Sequence, residues 1–201
     1  MAERMHSPVG TARYVSLFTP RARKNDKGEA KGDPKYQITL IFAEGDNIRA
    51  MEKAAEEVAL EAFGAKWKQL REKGKIRWPF RDNSDRVDDD DTPIPGFEEE
   101  GVHVGFKSKD KPGIVDAEAE PIMDKSEVYD GMRARVSCRP FAYDSESKGV
   151  SFFLINVQKM DDGDRLSGDP AAEDDFKPAP KGKKPAAKKA RRSADDNDPL
   201  A

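Results

Sequence analysis

Residues 131–144 read GMRARVSCRPFAYD, and their types alternate. Met132, Ala134, Val136 and Cys138 fall on one parity, and Arg133, Arg135, Ser137, Arg139, Phe141 and Tyr143 on the other. A strand sends successive side chains to opposite faces. The stretch therefore predicts an apolar face backed by guanidinium groups that run into two rings. A solvated sheet face is the plain explanation of such alternation. It does not explain why every charge here is positive, where an ordinary surface mixes signs, or why rings continue the same face. Unpaired polynucleotide asks for this combination. Its phosphates need positive charge along a groove, and binding them releases counterions. Its bases need flat partners, each worth roughly 1–3 kcal/mol when stacked on an aromatic side chain. Arginine also stacks and forks onto phosphate in ways lysine does not.

Other segments carry the same chemistry. In KIRWPFRDN, Trp78 and Phe80 sit between Arg77 and Arg81. They read as a stacking platform, or as rings packed beneath a loop. Lys107, Lys109 and Lys111 follow VHVGF and serve either a phosphate path or a solvated loop. Arg21 and Arg23 open a basic loop, RARKNDKGEAKGDP. Tyr36 shares a parity with Ile38 and Leu40 and is expected in the core.

These residues need a scaffold. TARYVSLFT (11–19), ended by Pro20, and KYQITLIFA (35–43) read as a strand pair joined by the basic loop. Ile48, Met51, Ala55, Val58, Ala62 and Phe63 recur at helical spacing, with Asp46 or Asn47 placed to cap the start and Gly64 the end. A shorter helical piece runs on through Trp67 and Leu70. Residues 76–101 are loop chemistry, and 102–107 form a short strand. After a long connection the 131–144 strand pairs with GVSFFLINVQK (149–159) across DSESKG. About five strands, mostly antiparallel, with one long helix between the second and third predict a mainly β fold. The economical choice is an OB-type five-stranded Greek-key barrel, plugged at one end by the amphipathic helix.

The chain has 201 residues, 36% hydrophobic and 37% charged, too polar to be core throughout. A barrel domain over residues 1–160 and a disordered tail over 161–201 are expected. The tail is acidic over 161–176, basic and Pro/Ala-rich over 177–192, and acidic again at 193–201. The one cysteine, Cys138, lies on an apolar parity and suits core packing in a reducing compartment. No apolar run is long enough for a membrane span, and a cytoplasmic protein is expected. No P-loop, zinc-ligand spacing or nucleophile elbow appears. Asp82, Asp85 and Asp88–Asp91 are the only candidates for a metal-dependent nuclease, and consecutive aspartates diverge in an extended chain. No metal, cofactor or catalytic residue is expected. An adaptor or strand-annealing protein built on the same barrel is the other alternative.

The ordered set of DPKYQITLIF, the aromatic–Pro–aromatic–Arg-Asp element, KSKDKPGIVD, YDG…FAY…KGVSFFLINVQK and a terminal AAEDDF resembles a family of tailed-phage single-stranded DNA-binding proteins with an OB fold. The resemblance spans about residues 8–176 and leaves out the basic 177–192 segment. It implies coating of single strands during phage replication and recombination in the bacterial cytoplasm. It implies also an acidic tail that competes with DNA and recruits replication or recombination proteins. Glu173, Asp174, Asp175 and Phe176 fit that tail, and Asp195, Asp196, Asp198 and Leu200 fit it more loosely. A homodimer is compatible with this reading.

Overall fold

A computed structural model describes residues 3–24 and 28–166, without the side chains of Arg23, Lys24 and Lys31. Its strands are β1 (Met5–His6), β2 (Gly10–Lys24), β3 (Ala30–Ala43), β4 (Ile76–Arg77), β5 (Phe80–Asp82), β6 (Gly101–Ser108), β7 (Gly113–Val115), β8 (Arg133–Asp144) and β9 (Lys148–Asp161). Two helices, α1 (Arg49–Phe63) and α2 (Trp67–Glu72), lie between β3 and β4.

Five strands close a ring. β2 pairs with β3, β3 with β6, and β8 with both β9 and β2, all antiparallel, while β6 and β9 are parallel. This is the OB-type barrel the alternation implies, with β3 and β6 as its second and third strands. The inward parity is filled by Ala12, Ile38, Leu40, Phe42, Val104, Phe106, Ala134, Val136, Cys138, Val150, Phe152 and Leu154, each no more than 2% exposed. Burying one such Phe or Leu side chain contributes about 1.5–3 kcal/mol. Burial pushes the Cys138 thiol up to about 12, which leaves it protonated and inert at neutral pH. α1 turns Met51, Ala55, Val58 and Ala59 inward and packs on β8 and β9.

Several local expectations need correction. Pro20 does not end its strand: β2 and β3 run on past it, with Arg21 opposite Lys35 and Arg23 opposite Lys31. The ladder absorbs the proline by shifting register between Ser16 and Arg21, the kind of irregularity where a strand tolerates a residue without N–H. Asp46 does not cap α1, whose N-terminal flank is Ile48 with no side-chain cap. Its carboxylate accepts from Ala43 N–H instead and closes the turn after β3. The short strands β1, β4, β5 and β7 carry too few residues for their period to show.

Residues 161–166 continue past the barrel yet stay tied to it. Leu166 N–H donates to the Asp130 carbonyl, and Tyr129 Oη donates to Asp162 Oδ1 at 2.7 Å. Gly131 makes room for this strap. Its φ is +112°, and a Cβ there would come within 1.8 Å of the Asp164 carbonyl oxygen. No helix among the described residues is long and apolar enough to cross a membrane. The side chain of Arg23 and every tail position singled out above (Glu173, Asp174, Asp175, Phe176, Asp195, Asp196, Asp198, Leu200) lie outside the described residues.

Candidate nucleic-acid interface

The outward parity of β3 and β6 brings Gln37 opposite Lys107 and Thr39 opposite Gly105. On the far side of β6, Arg81 on β5 stands opposite His103. Arg77 on β4 is in register with Gly149 on β9, and Gly149 with Tyr143 on β8. Four strand pairings thus converge on one trough of about 260 Å³. Its walls carry Arg77, Arg81, Arg86, Lys107, Trp78, Tyr143, His103 and Thr39, with no carboxylate among the described residues lining it. Gly149 positions Tyr143, because a Cβ there would meet the Tyr143 hydroxyl at 2.4 Å. Arg77 and Arg81 make no hydrogen bond or ion pair among the described residues. Their guanidinium groups therefore face the trough uncompensated.

Arg86 and His103 were not singled out by sequence. Arg86 Nε donates to His103 Nε2 at 3.1 Å, and its guanidinium lies 5.9 Å from the centre of the Tyr14 ring. His103 is 2% exposed and meets Phe97 edge-on at 5.1 Å. Burial first, then the charges of Arg86 and Arg81, push the imidazole down to about 4, against a smaller opposing pull from Asp85 and Asp82. Neutral His103 can accept from Arg86, whereas a protonated ring could only donate. The pair thus fixes one trough cation in place.

That depression has a measurable consequence. The unfolded chain protonates His103 near 6.5 and the folded protein near 4, so acid favours unfolding. The contribution is intact above pH 6.5 and is lost as pH falls through the folded value. A His103→Gln variant keeps an acceptor but no titration. Its melting temperature is expected to fall less than that of the natural protein between pH 6.5 and 4. Parallel melting curves across that window would remove His103 from the account.

Tyr14 links the trough to a second cleft, lined by Arg13, Tyr14, Arg21, Gln37, Tyr129 and Asp130. Tyr14 has φ +53° at a bulge between Arg13 and Ser16, a conformation that costs a non-glycine residue on the order of 1 kcal/mol or more. Arg13 and Asp130 hold it there. Arg13 Nη1 donates to Asp130 Oδ2 at 2.9 Å, and Val15 N–H donates to Asp130 Oδ1 at 2.8 Å. Nothing in a single sequence signals a left-handed tyrosine inside a strand.

The arginines of β8 do not share one surface. Arg133 donates to the Thr11 hydroxyl in a cleft that also holds Glu98, Glu99 and Asp164. Arg135 donates to Gln158 in another, with Arg4 and His6. Arg139 and Phe141 line a third, against α1. Only Tyr143 reaches the trough. The strand alternates as expected, but register shifts at Arg133/Ala134 and Ser137/Cys138 rotate it along its length. Phe80 pairs with inward-facing Val104 and packs edge-on against Phe152 at 5.9 Å, so it belongs to the core margin, not to a platform. Trp78 lines the trough but is already stacked on Trp67 at 5.3 Å, with Arg71 over its ring at 4.3 Å. Lys109 is held by the Asp33 carboxylate, and Lys111 lies 5.6 Å over Phe18. The Asp88–Asp91 run is spent on a turn, with Asp88 Oδ1 accepting from Asp90 and Thr92 N–H.

The sequence matches the family of the ssDNA-binding protein of Enterobacter phage Enc34 over residues 9–187. No curated protein matches the chain. Among solved structures it is similar to the bacteriophage Enc34 single-stranded DNA-binding protein in complex with ssDNA, at TM-score 0.56 and 21% identity, over 83% of this chain and 88% of that one. It is similar also to gp2.5 of bacteriophage T7, a single-stranded DNA-binding protein, at TM-score 0.54 and 17% identity, over 87% and 93%. With a family match across most of its length, a barrel of the same kind and a basic, aromatic trough on the strand pair that OB folds use for oligonucleotides, this chain belongs to the Enc34 family of phage ssDNA-binding proteins.

Proposed function

We propose that the protein binds and protects unpaired DNA without strong sequence preference during phage replication and recombination, holding it in the β3–β6 trough. The observation that carries this reading is four cations and two rings converging on one trough that no carboxylate lines among the described residues. Cations on phosphates and rings on bases distinguish strands by whether they are paired, not by sequence. No catalytic step is part of this reading.

The tail enters the same proposal. Leu166, the last described residue, accepts from Arg13 Nη1 at 3.0 Å at the edge of the Tyr14 cleft. Acidic residues Glu173, Asp174 and Asp175, with Phe176, follow within ten residues. They compete with DNA for the cations and recruit replication or recombination proteins, in the host cytoplasm. Titrating labelled oligo-dT and a duplex of equal length by fluorescence anisotropy at two salt concentrations tests the function. The single strand is expected to bind more tightly by at least tenfold and to weaken with salt. Equal affinity for both forms, or no salt dependence, would sink it.

A further inference from the structure

We propose that the bound strand continues from the trough into an apolar groove between α1 and the β8–β9 hairpin, where unpaired bases settle against Phe141 and Phe153. The inference rests on the trough being the primary DNA site. The groove holds about 570 Å³, within the range of clefts that take flat organic ligands. Val58 and Ala62 of α1 form one wall, and Phe141, Phe153 and Arg139 the other. The two phenylalanine side chains are 40% and 37% exposed, among the few large apolar groups the described surface leaves open.

Tyr143 lines the trough, Phe141 lines the groove, and their ring centres are 6.2 Å apart. A second link runs across the sheet. Gln37 is in register with Lys107 of the trough, Lys107 with Phe153, and Phe153 with Arg139. Rings and cations therefore form an uninterrupted outer row from one site to the other. Arg139 makes no hydrogen bond or ion pair among the described residues, and its Nε is buried without a partner. It is placed to meet a phosphate as the strand leaves the rings. Glu61 on the helical rim repels the backbone and keeps it on the arginine side.

Strand length separates the two sites. An oligo-dT of about 4 nucleotides fills the four-cation trough, whereas one of about 16, the upper end of OB-fold site sizes, reaches the groove as well. Phe153→Ala is expected to weaken the long oligomer about tenfold and leave the short one unchanged. Phe153→Tyr, which keeps a ring, should restore the long oligomer. Phe153→Leu, which keeps apolar bulk and guards against misfolding, should not. Arg81→Ala in the trough should weaken both lengths. If Phe153→Ala spares the long oligomer, or weakens both lengths alike, the extension is overturned while the Arg81 result still decides the trough. A change in oligomeric mass on Phe153→Ala, with oligomer binding intact, would make the groove a protein interface and overturn the proposal too.

Discussion

Replacing Arg77 and Arg81 together with alanine is expected to weaken oligo-dT binding about 30-fold at moderate salt, an effect near 2 kcal/mol for two charge-assisted contacts. The more telling quantity is the salt slope. Each phosphate neutralised on a single strand contributes about 0.7 to the slope of log K against log salt, so the double variant should flatten it by about 1.4. These two residues are the clean choice because neither has a hydrogen bond or ion pair to lose among the described residues, and both are exposed. Removing Arg86 would also strip His103 of its donor and Tyr14 of one of its two cations, which mixes binding with stability. Arg133→Ala is the matched control. It removes the same charge from a cleft that already contains Glu98 and Glu99, and it should leave the slope unchanged. If the double variant keeps the natural slope, or the control loses as much, the trough is not the phosphate path.

The sequence made the barrel legible for a physical reason. Its ring strands alternate with period two over most of their length, interrupted in β2 at the bulge around Tyr14, and the alternation encodes which side faces in. The inward parity of GMRARVSCRPFAYD is buried residue for residue through Cys138. The outward parity misled, because alternation says which face a side chain is on and nothing of how that face turns. The register shifts in β8 add the missing rotation and send Arg133, Arg135 and Arg139 to separate clefts. The trough residues were half visible. Arg77, Trp78 and Arg81 stand out as a local cluster of charge and rings and Lys107 as the first of three lysines after VHVGF, and the trough gathers all four. Arg86, His103 and Tyr14 were invisible because each acts through a partner distant in sequence. A lone histidine inside VHVGF carries no sign that an arginine 17 residues earlier will bond to it. Phe80 shows the opposite failure. A ring beside arginines suggests a platform, but one packed edge-on against Phe152 has fewer open faces to offer.

The largest effect on stability is expected at Asp130, away from the trough floor. Its carboxylate takes Arg13 Nη1 at 2.9 Å and Val15 N–H at 2.8 Å, with both side chains about one-tenth exposed. Arg13 Nε is already buried without a partner. Asp130→Ala would leave that guanidinium buried with the Leu166 carbonyl as its one hydrogen-bond acceptor among the described residues, and would free the backbone amide that pins the bulge at Tyr14. Breaking one side of a buried ion pair costs roughly 3–5 kcal/mol. With a urea m-value near 2 kcal/mol/M for a domain of this size, the unfolding midpoint should drop by about 2 M. The pair itself need not be stabilising, since two charges withdrawn from water repay little beyond their own desolvation. A double Arg13→Met, Asp130→Leu variant should therefore recover much of the loss in midpoint. It should still bind oligo-dT less tightly, because Tyr14 would no longer be held at the left-handed bulge beside Arg86. A single variant that loses less than about 1 kcal/mol would place the pair among ordinary surface bridges and leave the strained tyrosine without its anchor.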